Sequence, residues 1–590
     1  MKIIVVLIFV LIISIAEGSN ESINMVHASE ILEKFKKGID INYDSKRIDG
    51  DLLLNNSIND KNKPILLAIT IENSTIDGDI NFSYMKFYKV SFWNSTFKGK
   101  FIASNSQFLN DTNFYNCKFH GFADFAGSKF FGNANFGNVA FNDSRFSGII
   151  IKRYANFKNS AFLKQSSFYG ATFEGSSFEH CNFSRSADFS ASLFNLTSNF
   201  YKAYFNDLAR FSSSIFNEDL KMEKSTIAGN IYFNNAIFNG DAKFQNSNFS
   251  DLTSDNCEFR KRCDFSDTIF NKNVTMSKNN YINDVAFSSC KFIGKSEFID
   301  SNFLENADFS SSKFNGDAKF TGSRFLGVAD FSEVEFEKTV DLSKCFFNDT
   351  LNLRKSNFNS FVSLTDSNFK KDILAEDAVF NGNLNLNRTR FGNMYIRWSN
   401  IKERIQYNET SYYLLIKNFQ NLGLFSDANE CYYAFMSETR NQTVYQSFSG
   451  QVNKFLMTIL YSLSQILYGF GTKPELPLIW SGILVLAFAL YWYYKYQKMI
   501  AGSIFDRYRT LTTPENEKIY SKILRLKDAI KFSLNIFLSG TKLFFDPPEI
   551  PKKLIGSKVW MKRIYLIERT LGAGFFFLFF FAISKMLLSY

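Results

Sequence analysis

Residues 307–336 read ADFSSSKFNGDAKFTGSRFLGVADFSEVEF, and their phenylalanines are Phe309, Phe314, Phe320, Phe325, Phe331 and Phe336, so the step alternates five and six. An α-helix repeats its apolar face about every 3.6 residues and a strand every two, so neither accounts for a beat of eleven. A chain that turns a corner every five or six residues does. Each side is then a strand fragment whose Phe points inward, with the residue two positions earlier on the same face. The Ser, Asn, Gly and Asp between sides are turn formers that point out. Stacked coils set neighbouring backbones about 4.8 Å apart, which predicts that each Phe rests on the Phe of the coil below.

The beat continues without a failed step from Phe259 to Phe391, through Met276, Tyr281, Leu342, Leu353, Leu364, Ala375 and Leu386. Upstream it covers residues 157–238, with a slip of successive five-residue steps at Phe173, Phe178 and Phe183, and it can be followed back to about Ile71. The 590 residues include 71 Phe but only 7 Pro and 5 Trp, so one residue type is reused at one kind of place. That is the mark of a repeat array rather than of several ordinary cores. About 320 residues in coils of about 22 give about 14 or 15 coils and a rod about 70 Å long.

The recurring triplets ADF, ANF, CNF, CKF and CDF resemble the pentapeptide-repeat family, whose pattern is a small residue, then Asp or Asn, then Leu or Phe. The resemblance covers roughly residues 65–397. It implies a mainly β protein, a right-handed quadrilateral β-helix with four short sides to a coil, in which Phe309, Phe314, Phe320, Phe325, Phe331 and Phe336 form the structural ladder. The extra residue in every second step departs from the strict five-residue form. Some relatives mimic DNA, which requires a strongly negative surface. Residues 71–396 carry about 35 acidic and about 35 basic residues, which argues against that role, and no basic stripe for nucleic acid is evident.

Six cysteines, Cys117, Cys181, Cys257, Cys263, Cys290 and Cys345, each lie two residues before a ladder position, as Ala307 does before Phe309 and Ala329 before Phe331. The shared demand is a small apolar side chain in a cramped slot, so these are read as packing residues rather than disulfides or metal ligands. The three histidines, His27, His120 and His180, are far apart in sequence, and Asp308 and Asp330 recur at one repeat position as turn-bonding groups. No catalytic, metal or cofactor motif is present.

The opening MKIIVVLIFVLIISIAEGS reads as a secretory signal peptide over residues 1–18, followed by an N-terminal cap region over 19–64. Sequons at Asn73, Asn94, Asn110, Asn195, Asn248, Asn348, Asn408 and Asn441 fit an outside location for the segments that carry them, although a chain this rich in Asn, Ser and Thr makes sequons by chance.

After the ladder, residues 398–450 show helical spacing and a TPR-like look. Leu415, Phe419 and Leu422 share a face, Gly423 breaks the run, and Asp427 is placed to cap a second helix carrying Cys431, Tyr432 and Phe435. This helical hairpin is expected to act as an adaptor closing the end of the β-helix. Residues 451–590 form a membrane domain. Its first helix sets Phe455, Leu456, Ile459, Leu460, Leu463, Ile466, Leu467 and Phe470 against Thr458, Ser462 and Gln465, a stripe suited to the membrane surface. Two crossings are expected, at about 478–496 and 570–588; the alternative is a third over residues 455–470, which would place the basic loop 495–568 outside.

The order DAIKFSLNIFLSGTKLFFDPPEIP then RIYLIERTLGAGFFFLFFFAISKMLL resembles the pore module of two-transmembrane potassium-channel-like proteins. YGFGTKPELPLIWSGILVLAFALYW and ERTLGAGFF are similar to membrane domains fused to pentapeptide repeats in archaea and bacteria. The resemblance implies inner-helix glycines at Gly572 and Gly574 and lays the filter on Thr541, Lys542, Leu543, Phe544, Phe545 and Asp546. Thr, the aromatic position and Asp survive, but both filter glycines are replaced. Those glycines allow carbonyls to point into a pore through backbone conformations that are unfavourable for Leu or Phe, so the segment is a degenerate filter without potassium selectivity. A homo-tetramer is implied only if the module works.

Residues 495–568 carry about 15 basic against about 7 acidic residues, which the positive-inside rule places in the cytoplasm. With two crossings the repeat domain then lies outside the cell membrane. The reading is a membrane-anchored surface protein, not an enzyme, whose β-helix is a binding or structural scaffold. Its partners would be membrane lipid and envelope proteins or glycans, with no nucleic acid and no cofactor. The alternative is an ion-channel-like protein with a non-potassium-selective pore.

Overall fold

The computed structural model describes residues 24–56, 65–447, 452–495, 514–541, 546, 548 and 559–588. The signal-peptide segment 1–18 lies outside the described residues. The chain divides into two compact units, Met1–Ile396 with Arg404–Gln406, and Arg397–Glu403 with Tyr407–Tyr590.

The first unit is a parallel β-solenoid of about 16 turns. One coil has four sides, Asn302–Phe303, Ala307–Asp308, Lys313–Phe314 and Ala318–Lys319. Each pairs in parallel with its equivalent in the next coil, Arg324–Phe325, Ala329–Asp330, Glu335–Phe336 and Val340–Asp341. Strands begin well upstream of residue 65, because Met25–His27 pairs with Arg47–Asp49. The segment read as a cap also supplies helix α1 (Ala28–Lys36), which buries Ala28, Ile31 and Phe35.

The two kinds of corner produce the uneven beat. After Phe309 the chain makes a tight turn in which Ser312 N donates to Phe309 O at 3.3 Å and Ser311 has φ +56°, as the third position of a type II turn requires. The next inward residue, Ser312, is three positions on. After Phe314 the chain takes an open bend, and the next inward residue, Ala318, is four positions on. Each straight side then adds two. Five and six follow from alternating a tight corner with a wide one.

All six ladder phenylalanines are buried. Rings stack along the axis, Phe309 on Phe331 at 4.7 Å and 3°, Phe303 on Phe325 at 4.5 Å and 5°, and Phe314 on Phe336 at 4.9 Å and 18°. Across the interior Phe309 and Phe320 meet edge to face at 5.3 Å and 87°. Both are the arrangements an aromatic quadrupole favours. Slips in the beat are absorbed by register shifts, as between Ile151 and Tyr154 where Ile150–Asn156 pairs with Thr172–Ser177. A bulge takes up one residue and leaves the inward set facing inward.

The tight corner recurs about every eleven residues, and its third residue has positive φ throughout. Asn or Gly often fills it, as at Asn235, Asn246 and Gly322, but so do Ala191, Lys202 and Glu333. The last three hold a conformation that is unfavourable by about 1 kcal/mol for a residue with a Cβ.

The second unit is helical. Helix α2 (Trp398–Ile401) is one turn. Helix α3 (Glu409–Asn421) is capped by Asn408, whose side chain accepts from Ser411 N at 3.2 Å. It ends in a Schellman motif at Gly423 (φ +68°), with Leu424 N donating to Phe419 O at 2.8 Å and Gly423 N to Gln420 O at 3.0 Å. Helix α4 (Phe425–Ser447) follows. Asp427 does not cap it, contrary to the sequence expectation. It lies in the first turn of α4, and its carboxylate accepts from Trp398 N at 2.9 Å and pairs with Arg397 at 2.9 Å, so the helix it serves is α2. Helices α5 (Val452–Tyr468), α6 (Glu475–Lys495), α7 (Pro514–Leu538) and α8 (Val559–Leu588) complete the unit.

Two outcomes are expected. Phe320→Ala removes a ring stacked on Phe298 and edge-on to Phe309 and Phe331, at about 3–5 kcal/mol. Because the array couples nearest neighbours, amide hydrogen exchange should accelerate in the adjoining coils and stay unchanged around Phe101. A uniform loss of protection along the rod would contradict this. Ala191→Gly, which relieves the left-handed conformation, should raise stability by up to about 1 kcal/mol, read as a higher melting temperature.

Candidate functional site

The polar groups inside the solenoid serve the stack. At the fourth position of the tight corner a buried hydroxyl donates to the carbonyl that opens the equivalent corner one coil below: Ser192 to Phe168 O at 2.8 Å, Ser312 to Phe287 O at 2.6 Å, Thr268 to Phe244 O at 3.0 Å. Cys181 and Cys345 make the same bond, to Phe157 O at 2.8 Å and Phe320 O at 3.0 Å. Cys117, Cys257 and Cys290 do likewise. Only Cys263 occupies the strand-start slot filled elsewhere by Ala307. All seven cysteines are buried free thiols. Five of the six repeat cysteines thus add a weak hydrogen bond at a buried position that Ala171, Ala203 and Ala236 fill without one. Burial pushes their thiols up, Cys257 to about 11 and Cys117 to about 12, with Cys181, Cys290 and Cys345 higher still.

The recurrent aspartates close the corners. Asp308 Oδ1 accepts from Ser310 N at 2.9 Å and Ser310 Oγ at 2.6 Å, and Asp330 Oδ1 from Ser332 N at 2.8 Å. His180 is one of the left-handed corner residues, 3.6 Å from Glu179, and His120 is exposed. The histidines do not converge. Among the described residues no group of three or more His, Cys, Asp or Glu is placed to hold a metal ion. Surface charges pair from coil to coil, as in Arg388 with Asp366 and Lys313 with both Glu335 and Glu337. Of the sequon asparagines, Asn94, Asn110, Asn348 and Asn441 are exposed, and Asn94 donates to Asn73 Oδ1 at 2.7 Å within a corner ladder.

In the helical unit, Glu475–Tyr494 and Trp560–Lys585 are long and apolar enough to cross a membrane, each with mean hydropathy 1.7. The polar side of α5 is satisfied by α4, with Gln465 Nε2 donating to Tyr433 OH at 3.2 Å and Ser437 Oγ at 3.3 Å. Its apolar side, Leu456, Met457, Ile459, Leu460, Leu463 and Ile466, is exposed. The Gly469–Gly471 turn that ends α5 holds Phe470 at φ +57°. Lys585 Nζ donates to Phe470 O at 2.9 Å and lies 3.6 Å from the centroid of the Tyr432 ring.

Helix α7 packs against both α6 and α8. A Cβ at Gly572 would lie 2.0 Å from Phe537 O, and one at Gly540 would lie 2.4 Å from Arg569 O, so Gly572 permits the close crossing of α7 and α8 and Gly540 the close approach of the following turn to α8. Gly574 has open space where its Cβ would be. Thr541 ends the short turn Ser539–Thr541, and Asp546 is exposed. Lys542, Leu543, Phe544 and Phe545 lie outside the described residues. Sequence reasoning missed Glu568, which is wholly buried on α8 and bonded to Trp492 of α6 and Ser533 of α7. The available signal was a lone acidic residue in the apolar run RIYLIERTLGAG.

A family model described as pentapeptide repeats matches residues 103–150, 168–215, 200–248 and 320–368. No curated protein and no solved structure matches the chain. Every matched segment lies on the coils described above, so the solenoid is built of pentapeptide repeats.

Since the folded thiols titrate above the unfolded ones, their contribution is complete below the ordinary thiol range and is lost as pH rises through it toward about 12. Replacing Cys117, Cys181, Cys257, Cys290 and Cys345 together by Ser should leave the neutral-pH melting temperature nearly unchanged and reduce its alkaline decline. An undiminished decline would show that the thiols are not responsible.

Proposed function

We propose that this chain is a membrane-anchored cell-surface protein whose pentapeptide-repeat solenoid serves as a binding or structural scaffold outside the membrane. The observation that carries the reading is the pairing of a solenoid, whose repeat cysteines and corner aspartates do structural work, with a helical unit containing two apolar helices of membrane-crossing length. Pentapeptide-repeat solenoids are generally structural or scaffold proteins rather than enzymes. The basic balance of residues 495–568 supports a cytoplasmic loop between the two crossings, with the solenoid on the other side. The exposed apolar side of α5 suits a helix lying in the membrane surface. The partners that fit are lipid for the helical unit and an envelope protein or glycan for the charge-paired, near-neutral solenoid.

One observation favours a channel-like second reading. Helix α7, which leads into Thr541, packs between the two apolar helices, the order of a pore helix between outer and inner helices. In that reading the protein is a homo-oligomer with a pore that does not select potassium.

On intact cells, a membrane-impermeant amine reagent should label solenoid lysines and spare residues 495–568, and alkaline extraction should leave the protein in the membrane. Labelling of that loop from outside would reverse the topology, and release by alkali would remove the anchor. The purified full chain in a planar bilayer should give no unitary currents. An ion-selective current would establish the second reading instead.

A further inference from the structure

Glu568 lies where α6, α7 and α8 meet, and it is 0% exposed. Trp492 Nε1 of α6 donates to Oε2 at 2.8 Å. Oε1 is in short hydrogen-bond contact with Ser533 Oγ of α7. Ser533 Oγ is also 3.0 Å from Val485 O of α6. A hydroxyl has one hydrogen to give, and a peptide carbonyl only accepts. If Ser533 donates to Val485 O, the Ser533–Glu568 contact needs a hydrogen on the carboxyl. If Ser533 instead donates to an ionised Glu568, two oxygens with lone pairs are left 3.0 Å apart at Val485, and a charge is buried with no ion-paired cation among the described residues.

Among the described residues, the charged groups of the packed elements leave the carboxyl without an ion pair. Between Glu475 and Lys495, α6 carries only Tyr491, Tyr493 and Tyr494 as ionisable residues. On α7 Lys527 and Lys531 are exposed and Asp528 is half-buried, and on α8 Lys562 and Arg563 are exposed while Arg569 Nε donates to Ser539 O at 3.2 Å. Among the described residues none makes an ion pair with Glu568.

We propose that Glu568 is a proton-binding site of the membrane unit, held as the neutral carboxylic acid and joining all three helices. In this state Glu568 donates to Ser533, Ser533 donates to Val485 O, and Trp492 donates to Glu568, so every hydrogen has one acceptor. Loss of the proton removes the first donor and places an unpaired charge among apolar helices, which opens the junction. The site is independent of whether the unit anchors or conducts.

The test uses the full chain in lipid nanodiscs and infrared difference spectroscopy. Wild type should show the carbonyl stretch of a protonated carboxylic acid at neutral pH, and the band should vanish at strongly alkaline pH. Glu568→Gln, whose amide can replace the donated and accepted bonds, should lack the band and should not loosen at alkaline pH. Ser533→Ala and Trp492→Phe, which each remove one partner, should shift the band in frequency. No protonated-carboxyl band in wild type, its persistence in Glu568→Gln, or an unshifted band in both partner variants would overturn the proposal. Should Glu568→Gln fail to fold, the wild-type band and its shift in either partner variant still decide.

Discussion

The solenoid depends on one coincidence of lengths. Parallel strands repeat about every 4.8 Å, and offset aromatic rings sit comfortably at nearly that separation. Axial Phe pairs such as Phe303 with Phe325 at 4.5 Å, Phe309 with Phe331 at 4.7 Å and Phe298 with Phe320 at 5.0 Å are nearly parallel, so the backbone ladder and the ring stack are satisfied by the same rise. Each coil alone would expose its rings on both faces. Only the stack removes them from water, at about 25 cal/mol per Å². Toward the C-terminal end Leu342, Leu353, Leu364 and Leu386 take over two of the columns, while Phe336, Phe358 and Phe380 continue a third.

Burying that much backbone in short sides leaves many corner carbonyls and amides away from water, and the repeat supplies a partner for each kind. The Ser, Thr or Cys at the tight corner reaches the carbonyl of the coil below, and the Asp or Asn beside the ladder Phe closes its own corner. Some of the charges outside pair from coil to coil.

The helical unit follows a different economy. Its apolar helices cross closely where glycine allows it, with Gly572 under Phe537 O. Among the described residues, the half-buried Lys585 is held by Phe470 O and the buried Glu568 by Trp492 and Ser533. In a medium without water, such groups either join helices or mark a functional site.

The uneven Phe beat announced a four-sided coil because inward spacing is a local property of corners, and the triplets around it named the residue types that corners need. The helical hairpin was legible for the same reason, since Gly423 and the apolar spacing of Leu415, Phe419 and Leu422 act within a few residues. The roles of Asp427, the repeat cysteines, Gly572 and Glu568 were not. Asp427 serves a helix 29 residues away in sequence, five cysteines bond a carbonyl one coil below, and Glu568 meets Trp492 across 76 residues. The sequence by itself determined the period, the inward face and the apolar segments, because these depend on neighbours along the chain. Which carbonyl each buried donor reaches, and which helices share a carboxyl, only the tertiary structure decided, because hydrogen bonding acts through space once packing has removed the water.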